Sequence, residues 1–492
     1  MYRHNYLLTL LLLLQCILLT AQNYQAINGS RYAGSLSSSN NPAGIVYVPY
    51  NWDITPFAIQ LKHSTNTFRI NNFCLLSKPK NVKFTAVNGV EKRFVYANQD
   101  IRLLNTRIRL HDKAAIAFGA NIRNYVYTSS SKSNWQDTAF SLADYLKINL
   151  DHRPLSADAA GSTWAELYAS YAQTIFDDGY RVFNAGITVQ LNRSIAGIYG
   201  KLNNANYATA IVNKPIYLLT TGSLQYGYSA NVDNVDSNKT ANANARAILQ
   251  NNSYSLGADI GFEYIFRTER NIRLDDDQQD DFAYNAKIGI SLMDLGSNKF
   301  SHGRMSSLAI AGLPGITDTL LENKFNSFLN VNNFNDSLAS ISTSFSALNG
   351  NFFIYKPTRL VINIDKHIAD DFYLNAELTI PILPTITKNT LFIRDINLLA
   401  ITPRWETKTF GAYLPILLNT RQQLWVGAAF KVGPLLLGTH NLANLLGKNS
   451  TQSGGLYLAF TIRPGKKHDG KGQNLKDKIS PQSKRKLTCP SF

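Results

Sequence analysis

Cysteine, charge and long apolar runs are all scarce in this chain of 492 residues. Its three cysteines exclude a disulfide-rich scaffold and a multi-cysteine zinc module. Charged residues make up 17% of the chain, below the roughly 25% of an average soluble domain. After residue 21, no apolar run approaches the roughly 20 residues that a membrane-spanning helix needs.

Motifs for catalysis and for cofactors are missing as well. The chain contains no His-Glu-x-x-His, no Gly-x-Ser-x-Gly and no phosphate-binding Walker loop. The acidic run Asp275-Asp276-Asp277 lacks the glycine and the terminal glutamate of a calcium loop, which favours a solvated turn. We therefore expect a protein that is not an enzyme and that needs no cofactor and no metal.

Part of the net charge of +16 lies at the C-terminus. Residues 463–492 hold nine basic and two acidic residues, so this stretch supplies +7. No DNA-binding or RNA-binding motif accompanies the basic charge, and we expect no nucleic acid partner. Lys, Gly, Gln and Ser dominate residues 464–492, which predicts a basic tail that either stays solvated or binds an acidic protein, polymer or lipid.

Residues 1–21 have the features of a secretory signal peptide. Arg3 and His4 precede an apolar stretch that ends at Leu19, and Ala21 offers a cleavage site. The mature chain is therefore expected to be exported. Without an apolar run for a spanning helix, it is either a soluble exported protein or an outer-membrane barrel, and the strand pattern decides between them.

Several mature segments alternate apolar and polar residues with a period of two. They are residues 255–266, 284–292, 358–365, 372–380 and 456–462. With their flanks they span about 9–12 residues, enough for a tilted strand to cross a bilayer, whereas average soluble strands have about 5–6. Their polar faces carry glycine, serine, asparagine and full charges, which favours the wet lumen of a barrel over a face in bulk water.

Short and long connections alternate along the chain, as in outer-membrane barrels. We predict about fourteen strands, with both termini on the periplasmic side. The predicted strands lie near residues 56–72, 99–110, 114–127, 162–176, 180–192, 254–266, 284–294, 356–366, 372–380, 396–406, 409–418, 424–432, 434–439 and 454–463. The region 204–252 is ambiguous between a loop hairpin and two further strands.

A short motif near the mature N-terminus resembles a known family. Asn41-Pro42-Ala43 matches the Asn-Pro-Ala motif in the N-terminal hatch of FadL-type outer-membrane transporters of long-chain fatty acids and hydrophobic compounds. Further stretches resemble uncharacterised barrels related to that family, in bacteria that also use PorV-like proteins. These stretches are residues 186–189, 197–199, 397–404 and 433–435.

The resemblance implies a hatch at residues 22–45 followed by a barrel at 46–463. A hatch inside a lumen must satisfy its own backbone polar groups. The run from Ser35 to Asn41 is rich in side chains that hydrogen-bond nearby backbone, which fits a hatch. The alternative is a flexible polar leader.

The period of two also assigns charged side chains to the lumen. The inward candidates are Asp259, Glu263, Lys287, Arg359, Asp365, Glu377, Arg404, Glu406 and Lys431. Both signs are present, so neighbours either pair and hold a plug or only solvate a wet lumen. Pro403 cannot donate to a strand ladder and predicts a bulge or a local gap. In FadL-type transporters a strand kink near the hatch opens the wall sideways, and an inert bulge is the alternative here.

The sequence therefore predicts an all-β protein: a transmembrane antiparallel β-barrel of about fourteen strands with an N-terminal hatch. We expect it in the bacterial outer membrane, in contact with membrane lipid, with a periplasmic C-terminus. The expected function is passive uptake of hydrophobic or amphipathic small molecules. The alternative is a PorV-like scaffold or shuttle with a periplasmic or secretion-system protein partner.

Overall fold

The computed structural model describes most of the chain between residues 25 and 464. The described ranges are 25–74, 82–137, 141–210, 216–236, 238–250, 252–267, 282–312, 315–326, 331–382, 390–420 and 422–464. The signal peptide predicted at 1–21, the acidic turn at Asp275-Asp276-Asp277 and the tail beyond residue 464 lie outside these ranges.

Strands dominate the described residues. The strands are β1 Trp52–Thr65, β2 Phe68–Phe73, β3 Lys83–Ala86, β4 Gly89–His111, β5 Ala114–Trp135, β6 Leu155–Asp177, β7 Arg181–Thr209, β8 Tyr217–Tyr228, β9 Tyr254–Arg267, β10 Tyr284–Ser301, β11 Ser307–Ala311, β12 Ile316–Thr317, β13 Ser344–Ala347, β14 Asn351–Tyr355, β15 Arg359–Ala369, β16 Phe372–Pro381, β17 Leu391–Phe392, β18 Leu398–Glu406, β19 Phe410–Tyr413, β20 Ile416–Asn419, β21 Leu424–Val426, β22 Ala428–Val432, β23 Leu435–Thr439, β24 Asn449–Thr451 and β25 Ser453–Ile462. The α-helices are α1 Leu142–Ile148, α2 Ala241–Ile248, α3 Asp318–Phe325, α4 Val331–Ile341 and α5 Ala443–Leu446. Across the described ranges, no helix combines the length and the apolar character needed to cross a membrane.

Antiparallel pairing closes the described strands into a fourteen-stranded barrel. Two of the fourteen wall positions are each formed by two short strands, and we call each wall position a stave. The order around the wall is β1, β4, β5, β6, β7, β9, β10, β15, β16, β18, β19 with β20, β22 with β21, β23 and β25. Pairing of β25 with β1, for example Leu458 opposite Ile59, closes the ring. The predicted antiparallel barrel and its strand number are confirmed.

Strand β18 shows how the sequence places a wet face inside and an apolar face outside. Its burial alternates at every residue. Leu399, Ile401 and Trp405 are exposed, whereas Arg404 and Glu406 are almost fully buried. This is the reverse of a soluble protein, and it matches a wall whose outer face meets lipid.

The two rims of the barrel differ. Tight turns connect β4 to β5, β6 to β7, β15 to β16, β18 to β19 and β22 to β23, and we call this end the short-turn rim. The start of β1 and the end of β25 lie at the same rim, since Ile54 pairs with Ile462. Exposed aromatic side chains, among them Trp52, Tyr180 and Phe372, accompany these strand ends. The opposite end, the long-loop rim, carries the helices and the remaining strands.

Strands extend beyond the wall at the long-loop rim. The predicted strand at 56–72 ends early, because β1 stops at Thr65 and β2 pairs with β3 and β24 in a separate sheet. The ambiguous region resolves as β8, which pairs with the far end of β7, followed by α2. β8 also pairs with β11 and β12, so it belongs to a loop structure and adds no stave to the wall.

Two prolines each remove one backbone hydrogen bond, in two neighbouring seams between wall strands. β18 keeps its register past Pro403, with Arg404 opposite Tyr413 and Ile401 opposite Ile416. Leu414 donates to the Pro403 carbonyl at 3.0 Å, but Pro403 has no N–H to return the second bond of that rung. Pro415 likewise accepts from Gly427 at 2.7 Å and donates nothing. The predicted defect is thus a local gap without a bulge.

Candidate functional site

The first described residues, 25–50, lie inside the barrel, and we call them the N-terminal segment. Short 3-10 turns at Gln25–Ile27, Gly34–Ser39 and Pro42–Ile45 fold it into a compact body, most of it buried. The hydroxyls of Ser37, Ser38 and Ser39 donate to backbone carbonyls three residues earlier, at 2.8 Å in each case. Local side chains therefore satisfy backbone groups within the lumen.

Three wall glycines make room for the Asn-Pro-Ala motif. The Asn41 side chain accepts from Ala43 N at 3.0 Å and donates to the Phe262 carbonyl of β9 at 2.9 Å, so it both caps a turn and fixes that turn to the wall. A Cβ on Gly186 would lie 2.6 Å from Ala43 N, and one on Gly261 would lie 2.8 Å from Pro42 Cδ. A Cβ on Gly289 would lie 2.9 Å from Asn41 Nδ2. We call Gly186, Gly261 and Gly289 the glycine cradle.

Arginines of the wall hold the N-terminal segment by its backbone carbonyls. Arg107 donates to Ile45 O at 2.5 Å and to Tyr50 O at 2.8 Å. The other contacts join Arg404 to Asn28 O at 3.3 Å, Arg463 to Tyr32 O at 2.7 Å, Arg359 to Ser39 O at 3.1 Å, and Arg109 to Val48 O. Guanidinium donors satisfy carbonyls that would otherwise be orphaned inside the barrel.

The lumen candidates from the sequence are all buried in the structure, and most pair with one another. Their relative exposure ranges from 0% at Asp365 to 7% at Glu263. The ion pairs within the set are Arg404 with Asp365 at 2.7 Å, Arg404 with Glu406 at 3.3 Å, Lys431 with Glu406 at 3.1 Å, and Lys287 with Glu263 at 3.5 Å. Asp259 accepts from Gln190 at 2.7 Å, and Glu377 accepts from Asn40 of the N-terminal segment at 2.6 Å.

Glu406 is the hub of one of these clusters. Besides Lys431 and Arg404, it accepts from Tyr413 at 2.6 Å and from Ser30 of the N-terminal segment at 2.6 Å. Lys431 also lies 4.3 Å from the centre of the Tyr32 ring. The same buried charges therefore satisfy the wall and hold the segment.

A second closure lies nearer the long-loop rim. Residues 390–397, the outer segment, fold inward between β16 and β18. Ile354 and Tyr355 of β14 pair in parallel with Leu391 and Phe392, and Ile393 donates to Tyr355 O at 3.1 Å. The apolar side chains of the outer segment join an aromatic cluster that fills this level of the barrel: Phe94, Tyr96, Tyr125, Trp164, Tyr199, Phe300 and Phe352.

Asp395 fixes the outer segment to two staves. It accepts from Lys62 of β1 at 3.1 Å, and its other oxygen lies 4.0 Å from Arg359 of β15. All three side chains are at most 7% exposed. An inward-folded loop is thus held by buried charges on both sides of the lumen.

A polar chamber lies between the two closures. It is a small cavity of about 30 Å³, and its lining residues are Ser38, Ser39, Asp100, Arg102, Asn121, Arg123, Glu166, Tyr168, Thr188, Gln190, Asp259, Met293 and Asp294. Arg123 organises the wall of the chamber, because it pairs with Asp100 at 3.0 Å, with Glu166 at 3.3 Å and with Asp294. Its guanidinium also lies 5.2 Å from the Trp164 ring.

Sequence reasoning missed this second set of charges. Arg123 was within reach, since the period of two in β5 places it on the same face as Asn121. Asp294 was not, because the register of β10 shifts between Leu292 and Leu295 and Asp294 takes a positive φ of 60°. Asp395 lies outside the strands, where periodicity carries no information. In the part of the chain that the structure describes, no group of three or more His, Cys, Asp or Glu could hold a metal ion.

Comparisons with known proteins place the chain in a family. The model of a family of unknown function, DUF5723, matches residues 42–440. A search of curated proteins finds no match. Among solved structures, the chain is similar to a FadL homologue of Pseudomonas aeruginosa, with 10% identity, a TM-score of 0.40 and coverage of 90% of this chain and 97% of that one.

Two toluene transporters are also similar to the chain. TbuX of Ralstonia pickettii shares 11% identity at a TM-score of 0.36, over 88% of this chain and 94% of that one. TodX of P. putida shares 8% identity at a TM-score of 0.33, over 88% and 95%. The scaffold alternative gains no support from these comparisons.

Proposed function

The chain belongs to the DUF5723 family, and we propose that it is an outer-membrane channel for passive uptake of amphipathic or hydrophobic small molecules. The observation that carries the proposal is that two segments of the chain close the lumen, one on each side of the chamber. The N-terminal segment blocks the lumen from the short-turn rim, and the outer segment blocks it from the long-loop rim. A barrel closed at both levels by its own chain suits stepwise passage better than an open diffusion pore.

Residues 22–45 are the hatch in this proposal, and residues 46–463 are the barrel. The hatch packs apolar side chains such as Leu36 against the wall, and it is also held by hydrogen bonds to buried charges, such as Asn40 to Glu377 and Ser30 to Glu406. Water or a ligand offers replacement partners for such contacts, so their loss costs less than the loss of a packed apolar core. The hatch can therefore move while the wall stays closed.

The orientation follows from the rims. Short turns face the periplasm in outer-membrane barrels, and long loops face outward. In the proposed orientation, the C-terminal end of β25 and the basic tail at 464–492 are periplasmic. Ligand then enters from the long-loop rim, passes the outer segment and reaches the hatch.

The chamber favours amphipathic ligands. Arg123, Asn121 and Gln190 offer donors and acceptors, while Met293 and Tyr168 add apolar and aromatic surface. A ligand with one polar group and one apolar body satisfies both kinds of lining, whereas a plain hydrocarbon leaves buried polar atoms without a partner. No cofactor is required for such passage.

The exit is proposed to lie beside Pro403. The FadL-type resemblance implies that ligand leaves sideways into the membrane near the hatch. The rung of Pro403 with Leu414 lacks one hydrogen bond, so the seam between β18 and β19–β20 separates there at a lower cost than elsewhere along β18.

Planar-bilayer conductance tests the hatch. Deletion of residues 22–45 from the mature chain should raise single-channel conductance, because each transient opening of the outer segment then exposes a lumen without its inner closure. Deletion of residues 465–492 is the matched control, since it follows the last strand, and it should leave conductance at the wild-type level. Equal conductance of the hatch deletion and the wild type would refute the hatch.

Uptake into cells of a deletion strain tests the substrate class. Decanol and decane share one carbon chain and differ in one hydroxyl group, so they separate a polar requirement from an apolar one. We expect restored uptake of decanol when the gene is returned. Uptake that does not depend on the protein for either probe would remove the transport proposal.

A further inference from the structure

Arg359 of β15 touches both closures. Its guanidinium donates to Ser39 O of the N-terminal segment at 3.1 Å. Its Nε lies 4.0 Å from Asp395 of the outer segment. A third contact, to the Asp294 carboxylate, fixes the guanidinium to β10 of the wall. The side chain is 2% exposed.

Each of the other side-chain contacts named above fixes only one of the two closures to the wall. Lys62 binds Asp395 and thus the outer segment. Ser30 and Glu406 join the N-terminal segment to the wall at β18, in a cluster with Lys431. Arg359 differs because one planar group serves the hatch, the outer segment and the wall at the same time.

We infer that Arg359 is a positioning residue that couples the two closures, so that displacement of the outer segment weakens the hold on the hatch. This inference rests on the proposed gating role of the N-terminal segment. A buried guanidinium must keep its charge partners. When Asp395 leaves, Arg359 retains Asp294 and reorients toward it. The donor that faced Ser39 O then loses its alignment.

The coupling gives the channel an order of events. Ligand arriving from the long-loop rim first displaces the outer segment and enters the chamber. The hatch is loosened only by that step. Without ligand, the two closures are therefore never open at the same time. A single side chain therefore keeps the resting barrel tight at two levels.

Cysteine accessibility in the full-length barrel tests this coupling. The background carries Cys74→Ser and Cys489→Ser. Ser35→Cys reports on the hatch, because Ser35 is fully buried against Thr55, at a hydroxyl distance of 3.0 Å, and does not line the chamber. Ile393→Cys, in a separate protein, reports on the outer segment. A membrane-impermeant maleimide is applied to proteoliposomes, and the labelling rate is measured.

Three substitutions give different expected patterns. Arg359→Gln should raise the labelling rate at Ser35→Cys by about tenfold or more, the size expected for loss of a charge-assisted hydrogen bond. It should raise the rate at Ile393→Cys by a smaller factor, because the contact with Asp395 at 4.0 Å is an ion pair without a hydrogen bond. Lys62→Gln should raise the labelling rate mainly at Ile393→Cys. Through Arg359, it should also raise the labelling rate at Ser35→Cys, by a smaller factor. Ser30→Ala should raise the rate at Ser35→Cys alone.

The result that overturns the inference is a rise at only one reporter in Arg359→Gln, because two independent closures would respond separately. Asp294 keeps Arg123 as a partner in that variant, which protects the wall. If Arg359→Gln fails to fold, Arg359→Lys provides the test. Lysine keeps the charge but lacks the planar fork that serves Ser39, Asp294 and Asp395 together, so it should raise the labelling rate at both reporters by a smaller factor than glutamine does, and a rise at only one reporter would again overturn the inference. Labelling needs no transported molecule, so a wrong substrate class would leave these outcomes intact.

Discussion

Gly186 of β7 and Gly261 of β9 are register partners, and the Asn-Pro-Ala turn of the N-terminal segment lies against both of them. A wall of side chains at this level would exclude the turn. The pair therefore links two strands to a motif more than 140 residues earlier in the chain. Neither glycine has a positive φ, so the backbone conformation does not require glycine at these two positions. The absent side chains instead leave space for the Asn-Pro-Ala turn.

Gly261→Ala should dislodge the N-terminal segment without disturbing the barrel. The new Cβ meets Asn41 Oδ1 and Pro42 Cδ, and overpacking of this kind costs about 1–3 kcal/mol. We expect more frequent channel openings in planar bilayers and normal heat-modifiable migration in gels. Gly200→Ala on β7 is the matched control, because a Cβ there meets nothing within 4 Å. Identical recordings from the two variants would contradict the cradle.

Glu406→Gln should lower the free energy of unfolding strongly. The substitution leaves Lys431 buried without its carboxylate and takes one partner from Arg404, and breaking a buried ion pair costs about 3–5 kcal/mol. Denaturant unfolding in detergent, followed by tryptophan fluorescence, measures the change. Asp112→Asn, in an exposed turn, should stay within about 0.5 kcal/mol of the wild type. A loss no larger than that of the control would mean that water replaces the carboxylate.

Much of the barrel could be predicted from alternation alone. In β18 the residues with even numbers from Leu398 to Glu406 are buried and those with odd numbers are exposed, as the pattern required. Every predicted stave has a counterpart in the wall, because a period of two sets both the strand and the face.

The strand ends and the closures could not be predicted in the same way. β7 continues to Thr209, well beyond the predicted end at 192, since alternation does not stop where a membrane stops. Partners of the N-terminal segment lie far away in sequence: Asn40 binds Glu377, and Ser30 binds Glu406. The short Asn-Pro-Ala motif and the polar run from Ser35 to Asn41 pointed to a body inside the lumen, and neither carried information on which charges hold that body.

Pro403→Ala should reduce uptake with little change in stability. Alanine supplies an N–H for the missing bond of the rung with Leu414, which contributes about 1 kcal/mol, while the loss of proline costs a similar amount through the unfolded chain. We expect slower amide exchange at Leu414 and slower decanol uptake. Pro434→Ala, in the turn before β23, is the matched control. Unchanged uptake with slower exchange would show that ligand leaves by another route.

Asn121→Leu should change which ligands pass. Asn121 lines the chamber, donates to Glu166 at 2.9 Å and keeps a buried carbonyl oxygen for which the structure gives no protein donor. Leucine has a similar volume and cannot hydrogen-bond, so a ligand hydroxyl loses a partner worth about 1 kcal/mol or more. Decanol uptake should therefore fall by about fivefold to tenfold, while decane uptake stays level or rises.

Asn124→Leu makes the same chemical change on the opposite face of β5. Asn124 is three residues along the strand and binds Thr163 at 2.9 Å, away from the chamber lining. Uptake of both probes should stay at the wild-type level in this control. If Asn121→Leu lowers decanol and decane uptake equally, the substitution has damaged the barrel and the chamber does not discriminate by polarity. A selective loss of decanol uptake in Asn121→Leu alone assigns the discrimination to the chamber, because Asn121 lines the chamber and Asn124 does not.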